Sequence, residues 1–311
     1  GIKSIQDFLN SKQVNATVVS GKFPNTYKVQ WPLPEKHPLV SLLIPTRNGY
    51  EILKNAIESI LVKTTYTNYE IIILNNQTDC SKTLEYFEEL NHKYDNIRIL
   101  NWDKPFNYSA INNFGAKHAY GEILGLINND IEVLSPNWLS EMVSHAIRPD
   151  IGCVGAKLYY SNDTIQHAGV ILGIGGVAGH AHKHFDKNHH GYFSRLHLTQ
   201  NYSAVTAACL VVEKAIFQKA GGLNDKQLTV AFNDIDFCLR VDKLGYRNLF
   251  TPWAELYHHE SISRGQEDTP EKVKRFNQEI VYMKRQWSQK LKNDPYYNRN
   301  LTLEHENFGL S

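Results

Sequence analysis

Short apolar runs that stop abruptly at polar clusters constrain this chain more than any other feature. Residues 123–127 (ILGLI) have the length of a buried strand and end in Asn128-Asn129-Asp130. Residues 39–44 (LVSLLI) end in Pro45-Thr46-Arg47-Asn48-Gly49, and residues 69–74 (YEIIIL) end in Asn75-Asn76-Gln77-Thr78-Asp79. Nearly continuous apolar runs suit strands covered on both faces, as in parallel sheets. Helical spacing fills the gaps: Ile52, Leu53, Ala56, Ile57, Ile60 and Leu61 after the first run, and a segment that Ser81 can cap after the second. Residues 97–100 read as a third strand, and residues 106–120 lead through a helix into the fourth. This alternation predicts an α/β chain with a doubly wound, mostly parallel sheet. Such sheets bind ligands beyond the carboxyl ends of their strands, so the polar clusters after strands one, two and four would open onto one edge. Asp130 would then aim a hard oxygen into the crevice, suited to holding a divalent cation against a phosphate. The plainer reading is a polar turn leaving a strand.

The totals narrow the class. Lys and Arg number 33 against 32 for Asp and Glu, a formal net charge of +1, which argues against bulk electrostatic binding of nucleic acid. Cys80, Cys153, Cys209 and Cys238 form no C-x-x-C pair, and three of them sit in apolar runs, so free thiols in a reducing compartment are expected. No apolar run approaches the roughly 18 residues that span a bilayer, and no leader pattern opens the chain. Gly1 in place of Met reads as the start of an excised piece, with flanking domains elsewhere.

The remaining stretches read less regularly. Residues 1–37 look like an N-terminal extension, with a short helix near Ile5 to Leu9, a short strand near Ala16 to Val19, and a linker marked by Pro32, Pro34 and Pro38. Past residue 133, a helix from Trp138 and a strand from Ile151 to Tyr159 precede the glycine-rich GVILGIGGVAG. Seven of the fourteen histidines fall between His167 and His197, which marks a distinct, mobile segment. Its His180-Ala181-His182-Lys183-His184 would put three imidazoles on one face of a strand, but with Asp186 as the one nearby acid a loop lining a cleft is favoured over a metal tract. A helix carrying Asn233, Asp234, Asp236 and Arg240 follows, then short strands at 247–250 and 254–257, and His258-His259-Glu260-Ser261. Residues 271–291 form a long amphipathic helix with Lys272, Lys274, Arg275, Lys284, Arg285 and Lys290 near its polar face. The last ~20 residues are polar, as frayed termini often are.

Taken together, VSLLIPTRN, EIIILNNQT, LINNDIEV, FNDIDFCLR and LYHHESISRG resemble the motif set of the family 2 glycosyltransferases, in chain order. The resemblance spans roughly residues 38–265 and implies the GT-A fold: a Rossmann-like nucleotide-binding sheet flanked by helices (38–132), a mixed acceptor and catalytic half (133–265) and a C-terminal helical extension (266–311). It implies an inverting transfer of sugar from a nucleotide-diphospho-sugar, UDP- or TDP-linked by preference, to a glycan or lipid-linked glycan of a bacterial capsule or O-antigen. Mn2+ or Mg2+ would be the cofactor.

By the same resemblance, Asp130 takes the last acidic position of the D-x-D metal motif, and Asn128 replaces the first, leaving one charge fewer. His258, rather than His259, would complete the metal site. Asn75 falls where the family often reads the base with an Asp; an amide both donates and accepts, so it can still pair with uracil or thymine. Pro45, Thr46 and Arg47 would cradle ribose or phosphate, joined by Asn128, Asn129 and, on a segment closing over the diphosphate, Arg264. Asp234 is the candidate general base, because an attacking hydroxyl must lose its proton to a carboxylate within hydrogen-bond reach. Helix capping alone is the competing reading of Asp234. Asp236, two residues on, must face elsewhere, toward Arg240. Gln166, His167, Thr206 and Asn233 are candidates for acceptor contact.

The expected setting is cytoplasmic, at or near the inner face of the membrane. The basic helix 271–291 could touch anionic lipid there. Two other classes remain open. A nucleotidyltransferase is disfavoured, since the first strand lacks a glycine-rich basic phosphate loop. A catalytically silent sugar-binding module of a larger synthase is kept open by Asn75 and Asn128.

Overall fold

The computed structural model describes residues 1–260 and 269–311. The N-terminal residues form α1 (Ile2–Ser11) and the antiparallel hairpin β1 (Thr17–Ser20) and β2 (Tyr27–Gln30), packed around Leu9, Ala16 and Val18. Lys28 pairs with the buried Glu141 carboxylate at 2.6 Å, and the Arg148 guanidinium lies over Trp31, so the hairpin is tied to the body of the protein.

The first half of the sheet follows the alternation of the sequence. It runs β3 (Val40–Thr46), α2 (Tyr50–Lys63), β4 (Tyr69–Asn75), α3 (Ser81–Lys93), β5 (Ile97–Asn101), α4 (Tyr108–His118) and β6 (Ile123–Ile127). These strands are parallel in the order β6-β3-β4-β5. Period-two alternation sends Leu42 and Ile44 to one face, against Leu53, Ile57 and Ile60 of α2, and Leu43 to the other, against Ile111 of α4. The chain winds outward from β3 to β5, then returns to place β6 on the opposite side of β3. That reversal is a topological switch point, and the crevice it creates lies between the carboxyl ends of β3 and β6.

The second half turns the sheet mixed. It comprises β7 (Ile131–Val133), α5 (Trp138–Ala146), β8 (Ile151–Tyr159), β9 (Ile165–His167), β10 (Val170–Leu172), β11 (Ala178–His180), β12 (Gln200–Tyr202), β13 (Cys209–Glu213), α6 (Lys214–Lys219), α7 (Asn233–Lys243), β14 (Arg247–His258) and α8 (Pro270–Lys292). The full path is β12-β14-β8-β13-β6-β3-β4-β5, with β7 also on β14 and β9 also on β8. β13 runs antiparallel to both β6 and β8, and β14 runs parallel to β8.

Several expectations need correction. The two short strands expected after residue 247 are one strand, β14, whose register with β8 shifts between Thr251 and Glu255. Pro252 lies in that shift and removes a ladder donor there. The H-x-H-x-H segment is not a strand: β11 ends at His180, and His182 and His184 have φ of 57° and 65°. His182 is buried, with its ring stacked on Phe308. The C-terminal residues do not dangle. Tyr297, Leu301 and Phe308 are buried in the same core as Met283, Trp287 and Leu291 of α8, and Leu301 bridges Leu310. Cys153, Cys209 and Cys238 are buried free thiols, and Cys80 is a half-buried one. Among the described residues no helix is long and apolar enough to cross a membrane.

Candidate active site

Two turns lie at the carboxyl ends of β3 and β4. Asn48, at φ 54°, accepts from the backbone N–H groups of Asp79 and Cys80, and its amide donates to Asp79 Oδ1 at 2.8 Å. The turns after β3 and β4 are thereby locked together. Asn tolerates the left-handed region better than most residues, and the Asn-Gly pair at 48–49 was the sequence signal for this lock. Thr46 and Asn129 join the ends of β3 and β6 across the switch point, with Asn129 Nδ2 donating to Thr46 Oγ1 at 2.9 Å. Pro45 and Thr46 are buried, whereas Arg47 is exposed and enters no ion pair among the described residues. Asn75 is nearly buried; its amide donates to Asn101 Oδ1 at 2.9 Å and accepts from Thr78 N at 3.1 Å.

The antiparallel pairing of β7 with β14 sets His258 opposite Ile131, next to Asp130. His258 Nε2 lies 3.1 Å from Asp130 Oδ1, and both side chains are about nine-tenths buried. His258 Nδ1 lies 2.6 Å from Gln166 Oε1, which only accepts, so Nδ1 carries the proton there. Asn128 Nδ2 lies 3.0 Å from Nε2 on the same side as Asp130. Gln166 in turn donates to His258 O and Glu260 Oε2. The neighbouring His259 points the other way, to Ser161 at 2.7 Å and Glu132 at 3.3 Å, as alternation along a strand requires.

Asp234 stands in the first turn of α7, partly exposed. Burial pushes its carboxyl above the ordinary range, while hydrogen bonds from Ala207 N, Ile235 N and the Thr206 hydroxyl work against that shift. The turn entering β13 connects it to Asn128: Ala208 O accepts from Asn128 N at 3.0 Å, one residue past the N–H that binds Asp234. Tyr108 OH lies 3.2 Å from both Asn128 Oδ1 and Ala207 O, completing the link. Tyr108 went unnoticed in the sequence because its partners are 20 and 99 residues away.

Among the other acceptor candidates, Thr206 is half-buried beside Asp234. Asn233 is buried, with its amide donating to Val230 O at 2.6 Å. His167 is fully buried; it accepts from Gly169 N, and its Nδ1 lies 2.8 Å from His180 Nδ1. Burial holds His167 well below its ordinary pKa and takes His180 down to about 4, so both are neutral near pH 7. Asp236 is buried and faces away from the crevice, receiving Arg240 Nε at 2.8 Å and Trp287 Nε1 at 2.9 Å. Arg264 lies outside the described residues.

The residues present can hold a divalent ion. Bonds of about 2.0–2.1 Å at right angles put neighbouring ligands roughly 3 Å apart, which matches the 3.1 Å between Asp130 Oδ1 and His258 Nε2. Among the described residues no group of three or more His, Cys, Asp or Glu side chains surrounds one point. Two protein ligands would leave the other positions to phosphate oxygens and water, a common arrangement for such ions at phosphate sites.

Comparison with known proteins agrees with this architecture. The family model described as Glycosyl transferase family 2 matches residues 41–212. The uncharacterized protein y4gI of Sinorhizobium fredii is 54% identical over 294 residues, covering 94% of this chain and 32% of that protein. The O-antigen biosynthesis protein RfbC of Myxococcus xanthus is 35% identical over 313 residues, covering 100% of this chain and 24% of that protein. The chain thus spans a quarter to a third of the length of these relatives. A crystal structure of GalNAc-T7 with UDP, GalNAc and Mn2+ superposes with a TM-score of 0.67 at 15% identity, covering 94% of this chain and 57% of that one. The shared fold is GT-A.

Proposed function

This chain belongs to glycosyl transferase family 2, and on that premise we propose that it moves a sugar from a nucleotide-diphospho-sugar to a glycan or lipid-linked glycan acceptor in surface-polysaccharide synthesis. The observation that carries the reading is the chain of hydrogen bonds from Asp234 through Ala207 and Ala208 to Asn128, beside the paired Asp130 and His258. Asp130 and His258 would hold Mn2+ or Mg2+, which when bound neutralises charge on the diphosphate leaving group. Asp234 accepts the proton of the acceptor hydroxyl as that oxygen bonds to the anomeric carbon. The bond from the anomeric carbon to the diphosphate breaks on the opposite side, so the configuration inverts. The flat exposed Arg47 is free to fork its donors toward phosphate. Any contact of α8 with an anionic membrane would rest mainly on charge, since Met283, Trp287 and Leu291 on its apolar face are committed to the core.

Calorimetric titration with UDP, GDP, TDP and CMP, each with Mn2+ and with EDTA, tests this reading. One diphosphate should bind in a metal-dependent way; no binding to folded protein would overturn it. Two further results are expected. Gln166→Leu, which removes the acceptor that fixes the His258 tautomer, should weaken Mn2+-dependent nucleotide binding roughly 10–100-fold, the usual cost of losing a group that orients a metal-binding imidazole. Binding unchanged in that variant would contradict the role of His258. The acid limb of kcat should lie above that of an ordinary carboxylate. Asp234 works ionised, its raised pKa keeps the proton on to higher pH, and turnover therefore falls as pH drops through that raised value. A pH–rate profile of donor turnover reads this directly; a flat profile down to the ordinary carboxylate range would refute it.

A further inference from the structure

The turn leading into Asp234 is held from behind by the C-terminal helix. Glu279 of α8 is 1% exposed. Its Oε1 accepts from Val230 N at 2.9 Å and from the Thr229 hydroxyl at 3.1 Å, and its Oε2 accepts from Ala231 N at 3.1 Å. Val230 O is taken by the Asn233 amide, and Thr229 O by Ser109 N. The turn ends in Phe232 at φ 58°, a left-handed conformation costly for a bulky residue. Its ring stacks on Phe276, one turn of α8 before Glu279, with centroids 5.4 Å apart. Phe232 O then accepts from Asp236 N to start α7, and Asp236 is gripped by Trp287, two turns further along α8. One face of α8 thus holds the chain before and after Asp234.

We propose that Glu279 is a positioning residue for sugar transfer: its buried carboxylate keeps residues 229–231 in the strained turn that aims Asp234 at the acceptor hydroxyl. This rests on Asp234 being the base. Backbone strain of this kind persists only where surrounding contacts over-determine it, and here the contacts come from three points on α8. Glu279 has no polar contact with the Asp130–His258 side of the crevice among the described residues, so it separates aiming from nucleotide binding.

Glu279→Gln keeps the size of the side chain but turns one acceptor into an NH2 that faces a backbone N–H. Its kcat for turnover of the donor used by the wild type should fall about 100-fold, the scale of a misplacement near 1 Å. Mn2+-dependent binding of UDP, or of whichever diphosphate the wild type binds, should stay within about twofold, since Glu279 makes no polar contact with Asp130 or His258 among the described residues. Hydrogen exchange, which needs no substrate, should quicken in peptides spanning 228–236 and stay unchanged in β3 and β6. Thr229→Val, a milder loss of one donor to the same carboxylate, should show both effects in smaller measure. Exchange that is unchanged, or that rises equally across the whole chain, overturns the proposal, as does a kcat equal to the wild type. Should Asp234→Asn retain turnover, the base assignment fails instead, and local exchange in Glu279→Gln still decides whether the carboxylate holds the turn.

Discussion

Asp234→Asn is expected to lower the rate of sugar transfer by about 10²–10⁴-fold, the usual contribution of a positioned general base, while Mn2+-dependent nucleotide binding should stay near that of the parent. The substitution is nearly isosteric. Its amide oxygen can still accept from Ala207 N and so keep the link to Asn128, while its NH2 replaces the oxygen that accepts from the adjacent Ile235 N. What disappears is the site for the acceptor proton. Steady-state kinetics should therefore show a fall in kcat, and calorimetry should show an unchanged dissociation constant for the nucleotide. A silent sugar-binding module would lose nothing on this substitution, so retained behaviour on both measurements would favour that class. Loss of both together would mean that Asp234 supports the fold of the crevice rather than the chemistry.

The second large effect concerns Asp130. Asp130→Asn should weaken metal-dependent nucleotide binding by at least about 100-fold, more than the loss of an outer group such as Gln166, because it removes an anionic ligand itself. The chain starts from a small reserve of charge. Asn128 already stands where the family motif has its first acid, and His258 is neutral as a ligand. Asp130 is consequently the one anionic side chain in contact with His258 Nε2 among the described residues. Titration of UDP with Mn2+ and with EDTA separates the outcomes: the two curves should become alike in the variant. If they remain distinct, the ion binds elsewhere.

The nucleotide-side half was legible because its strands are covered on both faces and so appear as unbroken apolar runs with sharp ends. The same sharpness exposed Asn128-Asn129-Asp130 and residues 45–49 as edge clusters. His258 and His259 could be told apart only by motif resemblance, while the structure distinguishes them by strand alternation. Other parts were hidden for physical reasons. Tyr108 acts through partners 20 and 99 residues away and Glu279 through one 49 residues away, and periodicity carries no trace of such pairing. Gln166 and His167 stood out in sequence, but as polar residues facing an acceptor. They are buried, Gln166 on His258 and His167 on His180. The tail after α8 looked frayed because Tyr297, Leu301 and Phe308 have neither helical nor strand spacing, yet each fills a gap in the core.

The strand order also dictates when this active site can exist during synthesis. β14 is inserted between β12 and β8, both of which are made earlier, and it delivers His258 to a turn completed nearly 130 residues before. The parallel strands β3, β4, β5 and β6 can pair as soon as they emerge, with mostly local crossovers. Until β14 arrives, β8 and β12 present unsatisfied edges to their surroundings, which is the condition under which nascent sheets mispair. The growing chain therefore passes through a stage with its nucleotide-side walls built and its catalytic chemistry absent. Competence comes late, with α8 closing over the turn that carries Asp234.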